Sequence, residues 1–287
     1  LDYFRNNVAD WQSKATASVY SVIEDRHSAV KHAVERHGNV KEFLDVGCGT
    51  GQLCVEVAAK GVRSIGIDFA PEMISKCNEN AQSVGSQAEF KCASVFDAVF
   101  KSESFDVVSA QGFIEYITHQ QLDDFLKIAH DELRVGGVLV LGNRNRLFNV
   151  HSLNDYTTME SQLGTLGYLM DEAVLIENTK SQLDAIKQLE NFNNEYGHPV
   201  SHPETGIKVD TRYQYAPSEL VKKMSSFGFE VQCLYPINYH AFPSKLLSQE
   251  SYKNMHLHMA ASISANQFDV HQLLPFASSF VISATKI

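Results

Sequence analysis

Basic residues and long apolar runs are scarce in this chain. Its 24 lysines and arginines stand against 34 aspartates and glutamates, a formal net charge of −10 in 287 residues. Such a balance offers no general surface for the phosphate backbone, so we expect no nucleic-acid partner. No stretch approaches the roughly 18 uninterrupted apolar residues of a membrane-spanning helix, and the first residues do not follow a secretion-signal pattern. We therefore expect no membrane span and a cytoplasmic location.

Neither the cysteines nor the histidines form a pattern typical of a disulfide framework or a metal site. The five cysteines are odd in number, scattered and without a CxxC pair, which argues against disulfides and against a thiolate zinc site. His198 and His202, followed by Glu204, have loosely ligand-like spacing, but solvated loop residues are the simpler interpretation. We predict no metal.

Apolar segments alternate with helical segments through the first half of the chain. Runs typical of buried strands recur between stretches with helical spacing, and they lie at 41–46, 63–68, 88–93, 105–110 and 137–142. Strands with little polar alternation, separated by helices, indicate a parallel sheet covered on both faces. Further strands are predicted at 229–235 and 278–286. The pattern predicts a doubly wound α/β fold.

Two segments interrupt this alternation. Residues 145–211 are polar, with helices expected around 158–193, and residues 236–276 form a second irregular stretch. We therefore predict an N-terminal helical segment and a core with two insertions. The segment is 1–40, the core is 41–144 with 212–235 and 277–287, and the insertions are 145–211 and 236–276.

Three glycines crowd into the stretch FLDVGCGTGQLCVEVA, directly after an apolar run. Gly47, Gly49 and Gly51 allow a sharp strand-to-helix turn, and a ligand can approach their backbone without meeting a Cβ. Dinucleotides use such a turn when it reads G-x-G-x-x-G, and S-adenosylmethionine (SAM) when it reads G-x-G-x-G. Gln52 stands where the dinucleotide pattern requires glycine. The spacing therefore favours SAM over NAD.

A carboxylate closes the second predicted strand, since Asp68 lies 21 residues after Gly47, where it is suited to bind a ribose diol. The stretches LDVGCGTG, GIDFAPEMI, FDVVSAQGFIEYI and ELRVGGVLVLGNRNR follow in that order. Together they resemble class I SAM-dependent methyltransferases, strongly over 40–145 and more loosely over 216–234 and 277–286. The resemblance implies a Rossmann-like, mostly parallel seven-stranded sheet with the last strand antiparallel. It also implies that the two helical insertions form a lid over the methyl acceptor.

The same resemblance implies which residues bind the cofactor. They are Arg26 at the cofactor carboxylate, Asp45, Gly47, Cys48 and Gly49 around the methionine, Gln111 near the methyl group, Asp68 at the ribose, Phe69 and Met73 on the adenine, and Ser94 or Val95 at the adenine amine. Many relatives have an aspartate where this sequence has Ser94, so a hydroxyl or the Val95 amide would replace that contact. Cys48 is interpreted as a small residue in a tight turn, because nothing nearby is suited to activate it as a nucleophile.

The chemistry of methyl transfer limits what the rest of the site must do. SAM already carries the activation, so the protein mainly aligns donor and acceptor and removes a proton where needed. For a hydroxyl acceptor a histidine is the usual base, and His240 follows the sixth predicted strand on the side expected to hold the acceptor. Tyr239 and Arg212 are the other predicted catalytic residues. Asn143 and Arg144, after the fifth strand, are expected to open onto the same site.

The function predicted from the sequence is methyl transfer from SAM to a small molecule, leaving S-adenosylhomocysteine (SAH). The stretches NRLFN, DTRYQYAP and SSFVISATK are similar to methyltransferases of glycan and secondary-metabolite pathways, which favours a sugar or metabolite hydroxyl. N-methylation of a small amine is the competing reaction, and a non-catalytic SAM-binding regulatory or scaffold protein is the competing class. The N-terminal aromatic residues are expected to close over the cofactor or to pack on the core. The oligomeric state stays open, a homodimer being one option.

Overall fold

A single mixed sheet forms the centre of the molecule. The computed structural model describes residues 3, 7–15, 21–193, 196–199, 203, 212–265 and 270–287. Within these ranges the sheet contains the strands β1 (Glu42–Val46), β2 (Arg63–Asp68), β3 (Glu89–Cys92), β4 (Phe105–Gln111), β5 (Leu133–Arg144), β6 (Phe229–Tyr239) and β7 (Ala277–Lys286). Their order is β3-β2-β1-β4-β5-β7-β6. β7 is antiparallel to β5 and β6, whereas the pairs among β1 to β5 are parallel. The predicted sheet, with its antiparallel last strand, is confirmed.

Helices cover both faces of this sheet. Among the described residues the α-helices are α1 (Val8–Ala15), α2 (Val22–His37), α3 (Gln52–Ala58), α4 (Pro71–Ser83), α5 (His119–Glu132), α6 (Asn149–Ser152), α7 (Asp155–Leu163), α8 (Leu166–Glu177), α9 (Gln182–Glu190), α10 (Pro217–Ser226) and α11 (Glu250–Ser264). Buried residues of α2 and α3 pack on the face that carries Val107 and Val140. Those of α5 and α10 pack on the opposite face, which carries Val108 and Leu139. In the described ranges, none of these helices is long and apolar enough to cross a bilayer.

Two strands extend beyond the limits that the sequence predicts. β5, expected at 137–142, runs from Leu133 to Arg144, and β6, expected to end at 235, continues to Tyr239. The apolar pattern identifies only the buried middle of each strand, whereas β7 pairs with both as far as Arg144 and Tyr239. These two residues therefore lie in the sheet, at its edge, and not in the loops that follow.

The first insertion is helical, as expected, but it is divided into several short helices. The stretch expected around 158–193 contains α7, α8 and α9, because α7 ends at Gly164 in the left-handed conformation and Ser181 caps a new start at α9. A bridge between Asn145 and Tyr215 brings the chain that enters the insertion beside the chain that leaves it. Both ends of the insertion therefore meet at the same edge of the sheet.

Candidate functional site

The glycine turn lies between β1 and α3, at the carboxyl edge of the sheet. Gly47, Gly49 and Gly51 have φ values of 69°, 55° and 83°, a region that glycine adopts without strain. A Cβ at Gly51 would also lie 2.8 Å from the ring of Phe90. The positive φ angles explain all three glycines, and close packing adds a second requirement at Gly51.

Asp68 ties the end of β2 to this turn. Its Oδ2 accepts a hydrogen bond from the Gly49 amide at 3.2 Å, and its Oδ1 accepts one from the Ala70 amide at 2.9 Å. Burial raises the pKa of Asp68, and these backbone bonds oppose the rise. The carboxylate is thus held beside the glycine backbone, as the ribose-binding prediction requires.

The remaining residues predicted around the methionine and adenine surround the same turn. Asp45 is buried beneath it, and burial raises the pKa of this carboxyl to about 7. The Cys77 thiol and burial raise the pKa of Cys48 well above its usual value, so this cysteine is a neutral thiol. Phe69 is 37% exposed and Met73 is buried. An exposed ring next to Asp68 is suited to stack on a purine.

The segment after β3 uses the Ser94 side chain locally. Its hydroxyl accepts a hydrogen bond from the Phe96 amide at 3.2 Å, and its carbonyl accepts bonds from the amides of Asp97 and Ala98. Val95 is buried. Since the hydroxyl already accepts a bond, it would meet an adenine amine as a second partner. The predicted contact at this position stays a prediction.

The N-terminal helix α1 lies against the helices that flank the turn. Gln12 Oε1 accepts hydrogen bonds from Gln52 Nε2 and Asn80 Nδ2, both at 3.0 Å. Gln52 begins α3, and Asn80 belongs to α4. This position agrees with a segment that closes over a cofactor. Of the aromatic residues expected there, Tyr3 is half-buried, and Phe4, Tyr20 and the Trp11 side chain lie outside the described part.

Two buried amides lie at the ends of β4 and β5. Gln111 Nε2 donates to Val140 O at 3.0 Å, while its Oε1 has no hydrogen-bond partner among the described residues. A Cβ at Gly142 would collide with that oxygen. Asn143 is fully buried, and neither atom of its amide has a partner in the described ranges. Buried polar atoms are rarely left unpaired, so these positions are suited to a ligand.

Three arginines converge on one buried carboxylate beside these amides. Glu115 Oε2 lies 3.1 Å from Arg144 Nε and 3.9 Å from Arg212 Nε, and its Oε1 lies 3.8 Å from Arg26 Nη2. Arg26 lies in α2, Arg144 ends β5, and Arg212 directly follows the first insertion. The predicted residues Arg26 and Arg212 are therefore brought together, through a glutamate that the sequence did not single out. Burial raises the pKa of the adjacent Tyr116 to about 12.

His240 lies farther from the turn than the other predicted residues. It follows β6, which is three strand positions from β4. With the usual spacing of neighbouring strands, β6 lies roughly 14 Å from β4. Its ring stacks on His256 at 4.3 Å and lies 4.6 Å from the ring of Phe148. Burial, with His256 and His151 nearby, lowers the pKa of His240 to about 3. Tyr239 is half-buried beside it. His202 and Glu204 lie outside the described residues.

Comparison with known proteins finds similarity to methyltransferases. Residues 43–137 match a family model described as a methyltransferase domain. Ubiquinone biosynthesis O-methyltransferase of Parvibaculum lavamentivorans is 28% identical over 110 residues, which is 38% of this chain and 43% of that protein. A relative with the same description from Xanthomonas axonopodis pv. citri is 32% identical over 104 residues, 36% of this chain and 43% of its own length. The chain matches less than half the length of these relatives.

A solved structure with the same fold covers the whole chain. Magnesium protoporphyrin IX methyltransferase from Synechocystis PCC 6803, with bound SAH, has a TM-score of 0.57 and 15% identity, and the match covers 100% of this chain and 97% of that one. The chain therefore has the fold of this methyltransferase structure. The residues that match the methyltransferase-domain model contain the glycine turn, Asp68 and Gln111.

Proposed function

We propose that the chain binds SAM at the glycine turn and transfers its methyl group to the hydroxyl of a small molecule, a sugar or a secondary metabolite. The observation that carries this proposal is the position of Asp68, with its carboxylate bonded to the Gly49 amide and the exposed ring of Phe69 beside it. Both lie near the point where strand order reverses between β1 and β4, the place where doubly wound sheets bind their ligands.

Two measurements, made one after the other, test the proposal. Calorimetry with SAH should show saturable binding, and a parallel titration with NAD should show none. Mass spectrometry of hydroxyl compounds incubated with the protein and labelled SAM should then detect labelled product. Binding without transfer to any compound would favour the non-catalytic SAM-binding protein, and transfer to amines alone would favour N-methylation.

The acceptor is proposed to lie between the core and the two insertions. In support, Arg212, which follows the first insertion, reaches the same Glu115 carboxylate as Arg144 of β5. His240 marks where the second insertion leaves the sheet. Function in folds of this kind depends on loops beyond a rigid sheet. Substitution of Tyr239 should therefore impair turnover and leave SAH affinity nearly unchanged.

The buried amide of Asn143 is expected to help bind the acceptor at the expense of stability. Replacing Asn143 by leucine removes two unpaired polar atoms, which should stabilise the fold by about 1–3 kcal/mol. Each kcal/mol corresponds to roughly 2–4 °C in Tm for a domain of this size. Methyl transfer should fall while SAH affinity is retained.

Asn145→Leu is the matched control for this experiment. Asn145 is equally buried, but its Nδ2 donates to Leu274 O at 2.7 Å and to Ala277 O at 2.9 Å. This variant should therefore lower Tm. If Asn143→Leu lowers Tm to the same extent, the amide of Asn143 is a structural group and not a ligand-binding one.

The general-base role of His240 stays a prediction, and its surroundings define the test. A histidine accepts a proton only in its neutral form, which His240 keeps above its lowered pKa of about 3. We therefore expect kcat to be independent of pH from about 8 down to about 5, where an unperturbed histidine near pKa 6.5 would already be titrated. Loss of a general base costs about a hundredfold or more in rate, so His240→Ala should lower kcat to that extent. A variant that keeps more than about a third of kcat indicates catalysis by positioning alone.

A further inference from the structure

Arg144 offers part of its guanidinium group at the carboxyl edge of the sheet. It is the last residue of β5, its side chain is 34% exposed, and its Nε lies 3.1 Å from Glu115 Oε2. Its two terminal amino groups make no hydrogen bond with any residue in the described ranges. The planar fork of these two groups is suited to bind a carboxylate or a phosphate in bidentate geometry.

Arg144 lies where the methyl acceptor is proposed to bind, and not at an unrelated place on the surface. Gln111, which ends β4, pairs with Gly142 in β5, so Arg144 lies two residues beyond that pair at the same edge. Neighbouring strands are about 4.8 Å apart. A group bound by Arg144 would therefore lie close to the methyl group that Gln111 is proposed to face.

The electrostatic surroundings of Arg144 favour an anion. The carboxylate of Glu115 is the only one within ion-pair distance of Arg144 among the described residues, and Arg144 shares it with other arginines. The phenol of Tyr116 adds no negative charge near neutral pH, since a tyrosine ordinarily titrates near pH 10 and burial raises the pKa of Tyr116 to about 12. A buried or half-buried cation is stabilised by an opposite charge, and a ligand can supply it.

We propose that the methyl acceptor carries a carboxylate or phosphate group and that the terminal amino groups of Arg144 bind it. This inference rests on the proposed function. It narrows the small-molecule hydroxyl compounds to anionic ones and names the residue that selects them. A neutral acceptor of the same shape would displace water from the half-exposed guanidinium fork without replacing its hydrogen bonds, so it should bind more weakly.

The test uses the purified full chain loaded with SAH and three probes: 4-hydroxybenzoate, 4-hydroxyphenyl phosphate and 4-hydroxybenzamide. Calorimetry should show that at least one anion binds more tightly than the neutral amide. The carboxylate and the phosphate are compared to decide which anion the site prefers. Arg144→Gln should weaken anion binding by at least about tenfold, the loss of one or more charge-assisted hydrogen bonds. Arg144→Lys keeps the positive charge but not the planar fork, so its affinity for the anion should lie between those of the wild type and Arg144→Gln.

A control on the same strand separates a local effect from a general one. Arg134→Gln removes an arginine from the opposite end of β5, where it pairs with Asp106, and it should change neither anion nor SAH affinity. For any anionic compound found to be methylated, Arg144→Gln should raise KM and leave the Kd for SAH unchanged.

Each other outcome has a definite meaning. Equal binding of the anions and the amide by the wild-type protein would refute the proposal, and so would anion binding that Arg144→Gln leaves intact. If Arg144→Gln weakens SAH binding instead, Arg144 binds the cofactor carboxylate and the inference is wrong. Failure of the wild-type protein to bind SAH would refute the proposed function itself, a result distinct from all of these.

Discussion

Replacing Asp68 by alanine should weaken SAH binding by at least about a hundredfold. Two charge-assisted hydrogen bonds to a ribose, each worth about 1.5–3 kcal/mol, would be lost, and about 1.4 kcal/mol corresponds to a factor of ten. The variant also leaves the Gly49 amide without the acceptor that now lies 3.2 Å away. The glycine turn should therefore loosen, and calorimetry with SAH measures the combined loss.

Two further variants make the Asp68 experiment specific. Asp68→Asn keeps an oxygen for the Gly49 amide but loses the charge, so it should bind SAH with intermediate affinity. Asp124→Ala changes a half-exposed aspartate whose partners among the described residues, Lys127 and Gln120, lie on the same helix α5. The SAH affinity of this variant should equal that of the wild type. Equal SAH affinity in Asp68→Ala and the wild type would remove Asp68 from the site.

The second large effect is expected at the buried ion pair that anchors the first insertion. Arg146 follows β5 and Glu160 lies in α7, and both are almost fully buried. Two hydrogen bonds join them, from Nε to Oε1 and from Nη2 to Oε2, each 2.9 Å long. Burial would raise the pKa of Glu160, but the guanidinium of Arg146 lowers it on balance. Arg146→Met leaves that carboxylate uncompensated, and we expect a loss of about 3–5 kcal/mol in the free energy of unfolding.

Urea denaturation measures this loss, and a double variant identifies its cause. Arg146→Met with Glu160→Gln removes both charges and keeps an amide for Asn149, so it should be more stable than Arg146→Met alone. Arg63→Met breaks an exposed pair with Glu89 and should cost no more than about 1 kcal/mol. A loss in Arg146→Met as small as in this control would contradict the expectation.

Arg146→Met also tests the prediction that the core binds the cofactor and that the insertions bind the acceptor. If residues 145–211 do not build the cofactor site, Arg146→Met should speed hydrogen exchange in α7 and α8 while the Kd for SAH stays within about twofold. Local opening of one unit while the rest stays folded is a common property of domains. A large loss of SAH affinity would mean that the insertion forms part of the cofactor site.

The fold alone would not decide the activity. Function in shared folds depends on the site and not on the architecture. The proposals above therefore rest on particular groups, namely Asp68, Asn143 and Arg144.

The sequence by itself determined the sheet and the position of the glycine turn. Gly47, Gly49 and Gly51 are required by their positive φ angles, and such a local backbone requirement is visible in a sequence pattern. Asp68 could be located because a single strand separates it from α3. The sequence pattern predicted carboxyl ends of β5 and β6 that are several residues short of the observed ones. The pairing that extends both strands comes from β7, far along the chain.

Only the tertiary structure decided the electrostatics of the acceptor side. Glu115 gathers Arg26, Arg144 and Arg212 from elements far apart in sequence, and no local pattern indicates that they meet. The pKa of His240 is likewise lowered by burial and by His256 and His151, which approach it from other segments. Backbone conformation depends mainly on neighbours along the chain. Burial, ion pairs and pKa values depend on neighbours in space, and these neighbours meet only when the chain has folded.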